Sequence, residues 1–548
     1  MQRAIRRPTP RRTIQRRTAV STLPACHAIF TWYGRRVLLV EVARASAEVA
    51  QTSSKKAKAQ RIAALLKAAA PDERAIAARY LSGECGHKLG VGYATVHELR
   101  GAVAPAAEPS VTLGEVERRF EAIALLRGAG SATAKKREMG SLYAASTELE
   151  QGFLGALILG ELRQGALDAL VVDGLALATD VATTAVRQAY MLAGDIGMVA
   201  EAALADGAAG LARFGLTLFR PVLPMLAQTA EDPREAIALL GGPASLELKL
   251  DGFRVQIHKD GDDVRAYSRA LNDVTAQVPE VVRFTRALPV SRAILDGEAI
   301  ALSPGGRPLP FQDTMKRFGK SAALVDQVPL SLSLFDALLI DDQTLLATRA
   351  QERWAALDGL APQHAVPRVI TGDAEEATAF FDRVIASGHE GVMAKALDAP
   401  YDAGNRGAAW LKIKHVHRLD LVVLAAEWGS GRRRGFLSNL HLGARDPAGG
   451  FVMVSKTFKG MTDETLAWQT TALQAIAEDR DGHVVHVRPQ KVVEIAFNDV
   501  LRSTQYPGGV ALRFARLVRY RDDKTADQAD TIDAVRAIAI KAGVLPAT

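Results

Sequence analysis

The sequence predicts a multidomain fold: an all-α domain, then an α+β domain, then a mainly-β domain built as a small barrel. Three observations along the 548 residues carry this reading. Alanine and leucine recur with helical spacing from Val37 to about Gly215. The apolar period falls to two from Leu246 onward, and short strand-like runs dominate after Lys414. The length suits roughly three or four domains of ordinary size.

The first 36 residues stand apart. They hold nine arginines (Arg3, Arg6, Arg7, Arg11, Arg12, Arg16, Arg17, Arg35 and Arg36) and no lysine or acid, so the overall charge of +7 becomes −2 from Val37 onward. A nucleic-acid surface on the body must therefore come from local patches. The tail (residues 1–36) has three readings: a basic arm that holds phosphates, a transit peptide, or a misplaced gene start, since GTG would encode Val37. A misplaced start or a dispensable arm is preferred, with the tail outside the fold.

Residues 37–215 form the expected helical domain. In the run from Glu161 to Leu175, the side chains of Leu167, Leu170, Val171 and Leu175 fall on one face, which core packing alone explains. Pro105 and Pro109 mark a break between helical groups.

Residues 216–414 form the α+β domain. Leu246, Leu248 and Leu250 alternate with Glu247 and Lys249, and Asp260-Gly261 supplies a hairpin turn. Strands are expected at Ala293–Leu302 and Leu330–Ile340, and helices at Arg349–Leu357 and Glu375–Ser387.

Residues 415–548 form the β domain. Its strands are expected at Asp420–Ala426, Leu440–Ala444, Phe451–Ser455, Val484–Val487, Val492–Phe497 and Ala511–Tyr520. A β-barrel of the OB-fold type is one candidate for it.

Two cysteines, Cys26 and Cys85, cannot build a disulfide framework or a four-cysteine zinc site, and fit a reducing, cytoplasmic setting. The longest apolar stretch, around Leu167–Val186, is interrupted by Asp168, Asp173 and Asp180, so no membrane helix is expected.

The strongest local signal is Lys249-Leu250-Asp251-Gly252-Phe253-Arg254, a K-x-D-G-x-R pattern. Its four fixed positions would arise by chance in roughly 0.7% of chains this long. It offers a lysine at a strand end, a carboxylate, a glycine turn and an arginine. A lysine amine attacks phosphorus only when uncharged, so such a site needs nearby cations and partial burial. Read alone, the motif is also compatible with a solvated hairpin.

Further motifs follow in order: Ser268-Arg269, Leu295-Asp-Gly-Glu298, Leu334-Phe-Asp336, Glu390-Gly-Val-Met-Ala-Lys395 and Trp410-Leu-Lys-Ile-Lys414. Arg513-Phe-Ala-Arg516 and Arg519-Tyr-Arg-Asp-Asp-Lys524 close the series. Order and spacing resemble the lysine–AMP nucleotidyltransferases, the superfamily of ATP-dependent ligases and capping enzymes.

The resemblance implies roles position by position. Lys249 matches the nucleophile, and Glu247 the residue that reads the adenine. Arg254 and Arg269 match nucleotide and phosphate contacts, Glu298 a ribose or metal contact, and Phe335 the aromatic that stacks on the base. Glu390 is a candidate Mg²⁺ ligand, because hard carboxylate oxygens suit that ion. Arg406, Lys412 and Lys414 match AMP and α-phosphate contacts. Arg519, Arg521 and Lys524 lie on the closing motif, which in the family swings over to orient leaving pyrophosphate. Phe335, read alone in a β-rich run, is more often a core residue than a binding one. Arg432-Arg-Arg434 is either a solvated loop or a phosphate contact, and so are Lys55, Lys56, Lys58, Arg61 and Lys135-Lys-Arg137.

Within the superfamily, three features resemble the ATP-dependent DNA ligases. The helical region is similar to their amino-terminal DNA-binding domain at Leu89-Gly-Val-Gly92 and Gly160-Glu-Leu-Arg-Gln-Gly165. The segment Tyr401-Asp-Ala-Gly-Asn-Arg406 follows the ligase form. So does Arg513–Lys524, with Ala515 where the family usually has proline. The four-cysteine zinc module of the NAD-dependent ligases is missing from the sequence. The resemblance implies ATP as substrate, Mg²⁺ as cofactor and nicked duplex DNA as partner. A recruiting repair or replication protein is a further candidate partner. A cytoplasmic, nucleoid-associated monomer is the expected form. RNA ligases, guanylyltransferases and an inert ligase-like DNA binder are the competing readings.

Overall fold

The computed structural model describes residues 36–162, 167–318, 328–402, 408–430 and 433–546. Of the arginine tail only Arg36 is described, and it pairs with Asp72 at 2.7 Å. The next residue, Val37, is buried and donates its N–H to the buried Glu73 carboxylate at 2.7 Å.

Ten α-helices among the described residues fill the stretch from Leu39 to Leu211. They share one core, which includes Leu66, Phe120, Leu142, Leu170, Val171 and Leu175. Two helices, Lys55–Ala68 and Leu167–Thr179, cross so closely that a Cβ on Gly174 would stand 2.5 Å from Ile62 Cγ2. The leucine stripe expected from Glu161 is thus real but starts later. Glu161 and Leu162 are not helical, Gly160 ends the preceding helix with a φ of 65°, and Leu167 is only partly buried.

The middle stretch holds two five-stranded sheets. Its strands are β1 (Gln228–Thr229), β2 (Ala244–Lys249), β3 (Phe253–Asp260), β4 (Asp263–Ser268), β5 (Arg292–Ala301), β6 (Leu330–Ile340), β7 (Gln343–Thr344), β8 (Arg368–Thr371), β9 (Gly391–Ala396) and β10 (Trp410–Lys414). One sheet runs β1-β10-β9-β2-β8 and the other β4-β3-β5-β6-β7. Lys249 ends β2 and Phe253 begins β3, so the K-x-D-G-x-R motif is the bend that carries the chain from one sheet to the other.

The linker from Phe219 to Met225 ties the helices to these sheets. Its Phe219 N–H donates to His258 Nδ1 at 2.9 Å, and Val222 exchanges two hydrogen bonds with the Gln256 side chain. Met191 and Leu192, from the helix Thr183–Ala193, pack with Val222, Met225 and Trp410.

The C-terminal stretch holds β11 (His417–Trp428), β12 (Leu437–Arg445), β13 (Phe451–Thr457), β14 (Ala477–Asp481), β15 (Val484–Val487), β16 (Val492–Phe497), β17 (Asp499–Arg502), β18 (Val510–Arg513) and β19 (Arg516–Tyr520). Seven of them form a branched sheet, β13-β12-β11-β15-β14 with β16 bridging β11 to β19, while β17 and β18 pair apart. Among the described residues the strand pairings do not close into a ring. The strand expected at Ala511–Tyr520 is two strands with different partners, because Phe514 between them takes a left-handed φ of 57°. Two helices, Asp463–Ala475 and Ile532–Lys541, interrupt a region expected to be mainly strands. Each is capped by a threonine, Thr462 and Thr531, and each buries one apolar face in the core of the C-terminal stretch.

No described helix is long and apolar enough to cross a membrane.

Candidate active site

The two sheets of the middle stretch enclose a cavity of about 590 Å³. Lys249, Glu247, Arg254, Arg269, Glu298, Phe335, Glu390, Lys412 and Lys414 all border it, from five different strands and the loops beside them. Arg406 lies outside the described residues.

Two glycines make the convergence possible. A Cβ on Gly252 would collide with Ala299 O and stand 3.0 Å from Glu298 Cγ, so the bend after Lys249 lies flat on β5 only because residue 252 has no side chain. A Cβ on Gly391 would likewise strike Ile413 O, where β9 meets β10. These contacts bring Glu390 beside both Lys249 and Lys414.

Lys249 Nζ sits 2.5 Å from Glu390 Oε2, and the Lys414 ammonium pairs with the other oxygen of the same carboxylate. Burial alone would raise the Glu390 pKa; the two lysines outweigh it and hold the group below the usual carboxylate range. Glu298 is on the opposite side of the balance. Burial pushes it up to about 7 against the pull of Lys249 and Arg254, and its Oε1 accepts the Gly252 N–H at 3.1 Å.

At the floor, Glu247 and Lys395 form a buried ion pair. Burial raises the pKa of Glu247 and lowers that of Lys395, against the attraction between them. Glu247 Oε1 faces Lys395, whereas buried Oε2 has no hydrogen-bond partner among the described residues. The Lys395 ammonium lies 4.8 Å from the Phe335 ring centroid and 4.2 Å from that of Trp410.

Arg254 is more committed than its motif implied. Its guanidinium makes a bidentate pair with buried Asp296, at 3.0 and 2.6 Å, and donates to Met225 O at 2.8 Å. Tyr401 donates to the same Asp296 at 2.7 Å. Arg254 therefore braces the wall that it lines.

The C-terminal stretch completes the site with residues to which the sequence assigned no role. Arg513 and Phe514 both border the cavity. Arg513 makes a bidentate ion pair with Asp251 and stacks its guanidinium 4.3 Å above the Phe311 ring. By contrast Arg519, Arg521 and Lys524 do not border the cavity: Arg519 pairs with Glu494, and Arg521 and Lys524 share Asp420. Sequence order gave no sign that the first arginine of the closing series, rather than the last basic residues, faces the pocket here. Asp251 was visible as a fixed motif position, but not its partner.

Three family models match the chain in order. "DNA ligase N terminus" covers residues 93–176, "ATP dependent DNA ligase domain" residues 224–414 and "ATP dependent DNA ligase C terminal region" residues 433–524. A "Probable DNA ligase" of Anaeromyxobacter sp. (strain K) is 54% identical over 510 residues, covering 92% of this chain and 99% of the relative. The chain belongs to the ATP-dependent DNA ligase family. A second relative of the same name, from Mycolicibacterium gilvum (strain PYR-GCK), is 55% identical over 509 residues, with 92% and 99% covered. A solved structure called Pmar-Lig_PreS3 shares the fold over 88% of this chain and 99% of its own, with a TM-score of 0.58 and 18% identity. The activity of this ligase is ATP-dependent sealing of nicks in DNA, with ATP as substrate and Mg²⁺ as the ion. The helical, catalytic and C-terminal regions of the fold are those of the family.

The pocket's chemistry suits Mg²⁺. That ion keeps much of its water and takes one or two carboxylates together with substrate phosphates. Glu298 and Glu390 supply two hard carboxylates on one cavity, and a group of three or more such ligands is not found among the described residues.

Proposed function

We propose that Lys249 is the residue that takes AMP from ATP and delivers it to the 5′-phosphate of a nicked duplex. The observation that carries this reading is the unpartnered Glu247 Oε2 at the floor of the same cavity whose mouth holds Lys249. An adenine amino group is the donor such an oxygen calls for, and Phe335 borders the same cavity, where a base would stack.

The base then directs the ribose toward Glu298 and the phosphates toward Lys412, Lys414 and Arg269, with Arg406 as a further contact. Lys249 attacks the α-phosphorus once its amine is uncharged. The N–P bond forms as the bond to pyrophosphate breaks, and the ammonium proton leaves for solvent. Bound Mg²⁺, held by Glu390 and Glu298, would neutralise phosphate charge. Lys412 and Lys414 supply fixed positive charge where the transferring phosphoryl group becomes more negative. In the later steps AMP moves to the 5′-phosphate, and the 3′-hydroxyl then displaces it. Positioning supplies most of the acceleration, as in other phosphoryl transfers.

The arrangement with Arg513 against Asp251 suits those later steps. Arg519, Arg521 and Lys524 would reach departing pyrophosphate only after the C-terminal part turns about the segment between β10 and β11. Division at residues 37–215, 216–414 and 415–548 fits this movement, with 1–36 as a tail. An OB-type barrel is supported by two hydrogen bonds that draw β19 toward the end of β13: Leu517 N to Lys459 O at 2.9 Å and Thr457 Oγ1 to Ala515 O at 2.6 Å. The helical part and the barrel would then wrap the duplex through backbone phosphates, because a nick occurs in any sequence. A monomer acting on nucleoid DNA, brought there by a repair or replication protein, fits this design.

The test is labelling with α-labelled ATP and Mg²⁺, wild type against Lys249→Ala, followed by a nicked duplex. Label on the wild type alone, discharged as the nick is sealed, is the expected result. A wild type that takes no label, even after pyrophosphate has stripped any bound AMP, refutes it.

A further inference from the structure

The short helix Phe311–Lys316 belongs to the catalytic region in sequence, yet its polar side chains reach the C-terminal region. Gln312 Oε1 accepts the Arg502 N–H at 2.9 Å, and Gln312 Nε2 donates to the Arg502 carbonyl at 3.1 Å. One amide side chain thus satisfies both backbone groups at the end of β17, as a neighbouring strand would. Arg502 returns the contact through its guanidinium, which reaches Asp313 at 2.5 Å and Val544 O at 3.1 Å. Lys316 also holds Asp313, at 2.6 Å.

We propose that Gln312 and Asp313 form a latch on Arg502 that holds the C-terminal region shut over the pocket, and so act as positioning residues for the DNA-sealing steps. This rests on the proposed reading that adenylation and sealing use different placements of that region.

Two physical features separate a latch from a permanent seam. The contact is wholly polar and partly exposed: the Arg502 side chain is 42% exposed and that of Asp313 22%. Water can replace every bond when it opens, so opening is cheap, as at other polar inter-domain contacts. The two-point amide contact also fixes register. It recognises backbone atoms at one position only, which sets where β17 and the following β18 lie, and β18 ends in Arg513. Phe311, the first residue of the helix, lies under the Arg513 guanidinium. The latch therefore aligns the Arg513–Asp251 pair without touching the nucleotide pocket through its own polar groups.

The test uses the full chain with Gln312→Ala, Asp313→Arg, Arg502→Asp and the reversed pair Asp313→Arg/Arg502→Asp. Uptake of AMP from ATP and its discharge to a nicked duplex are timed separately. Loss of a charge-assisted contact slows discharge by about tenfold. Uptake should stay within about twofold of wild type, and the reversed pair should discharge faster than either of its single parents. Discharge at the wild-type rate in Gln312→Ala and Asp313→Arg would overturn the proposal. Equal slowing of both steps would also overturn it, because that marks a general structural role. A wild type that takes no label refutes the lysine–AMP reading instead, a result distinct from both.

Discussion

Arg513 and Asp251, 262 positions apart, meet in a bidentate ion pair at the mouth of the cavity, with Nη2 3.2 Å from Oδ1. Asp251 lies two residues after Lys249, so the C-terminal region touches the nucleotide motif itself. Neighbouring Glu390 and Asp499 also hold the Arg513 charge. The position of the C-terminal region is in this way coupled to the segment that carries Lys249.

Replacing Arg513 by alanine leaves a partly buried Asp251 carboxylate without its partner. Sealing by enzyme that already carries AMP should slow on the order of ten- to a hundredfold. Single-turnover discharge to a nicked duplex measures it, and an unchanged rate would show that the pair is incidental.

Glu390→Gln removes the one carboxylate that two lysines share. An amide cannot neutralise either, so Lys249 and Lys414 repel each other and the amine loses its anchor. AMP uptake is expected to fall by at least about a hundredfold. Labelling time courses decide this; uptake within a factor of a few of wild type contradicts the role given to Glu390.

Glu247→Gln has two consequences that separate stability from recognition. The buried Lys395 ammonium loses its counter-charge, which costs about 3–5 kcal/mol and lowers the denaturant midpoint. The amide also offers a weaker, ambiguous partner to an adenine amino group. Preference for ATP over a purine triphosphate lacking that amino group should shrink, by competition against AMP uptake. Undiminished preference would remove Glu247 from base recognition.

His258 sets a pH dependence on stability. Burial lowers its pKa from 6.5 to about 3, so it stays neutral while Nδ1 accepts the Phe219 N–H. In the unfolded chain it takes a proton below about 6.5. Its contribution is therefore fully present above that pH and is lost as pH falls toward 3, at up to about 1.4 kcal/mol per pH unit. Denaturant unfolding of wild type and His258→Asn between those limits tests it. The difference between the two curves should vary with pH; a constant difference contradicts the assignment.

The three-part pattern was legible in the sequence because helical and two-residue periodicities are local. The K-x-D-G-x-R bend and the order of the later motifs named nine residues that do border one cavity. Strand alternation is a local property, and it puts Glu247 with Lys249, and Lys412 with Lys414, on one face of their strands. Local signals also existed for what was missed: Thr462 and Thr531 are ordinary helix caps, and Gly160 an ordinary helix stop.

Other features depend on distant parts of the chain. Periodicity cannot show that Glu390 faces two lysines, because β2, β9 and β10 are brought side by side only in the folded sheet. Nor can it show that Arg254 is bound to Asp296, or that Glu247 shares its charge with Lys395 and keeps one oxygen without a donor. The sequence alone determined the family, the reacting lysine's candidate position and the kinds of groups around it. Only the tertiary structure decided which charges meet, and that Arg513 rather than Arg519, Arg521 or Lys524 faces the pocket. Ion pairs form between side chains close in space, and chain position does not encode that distance.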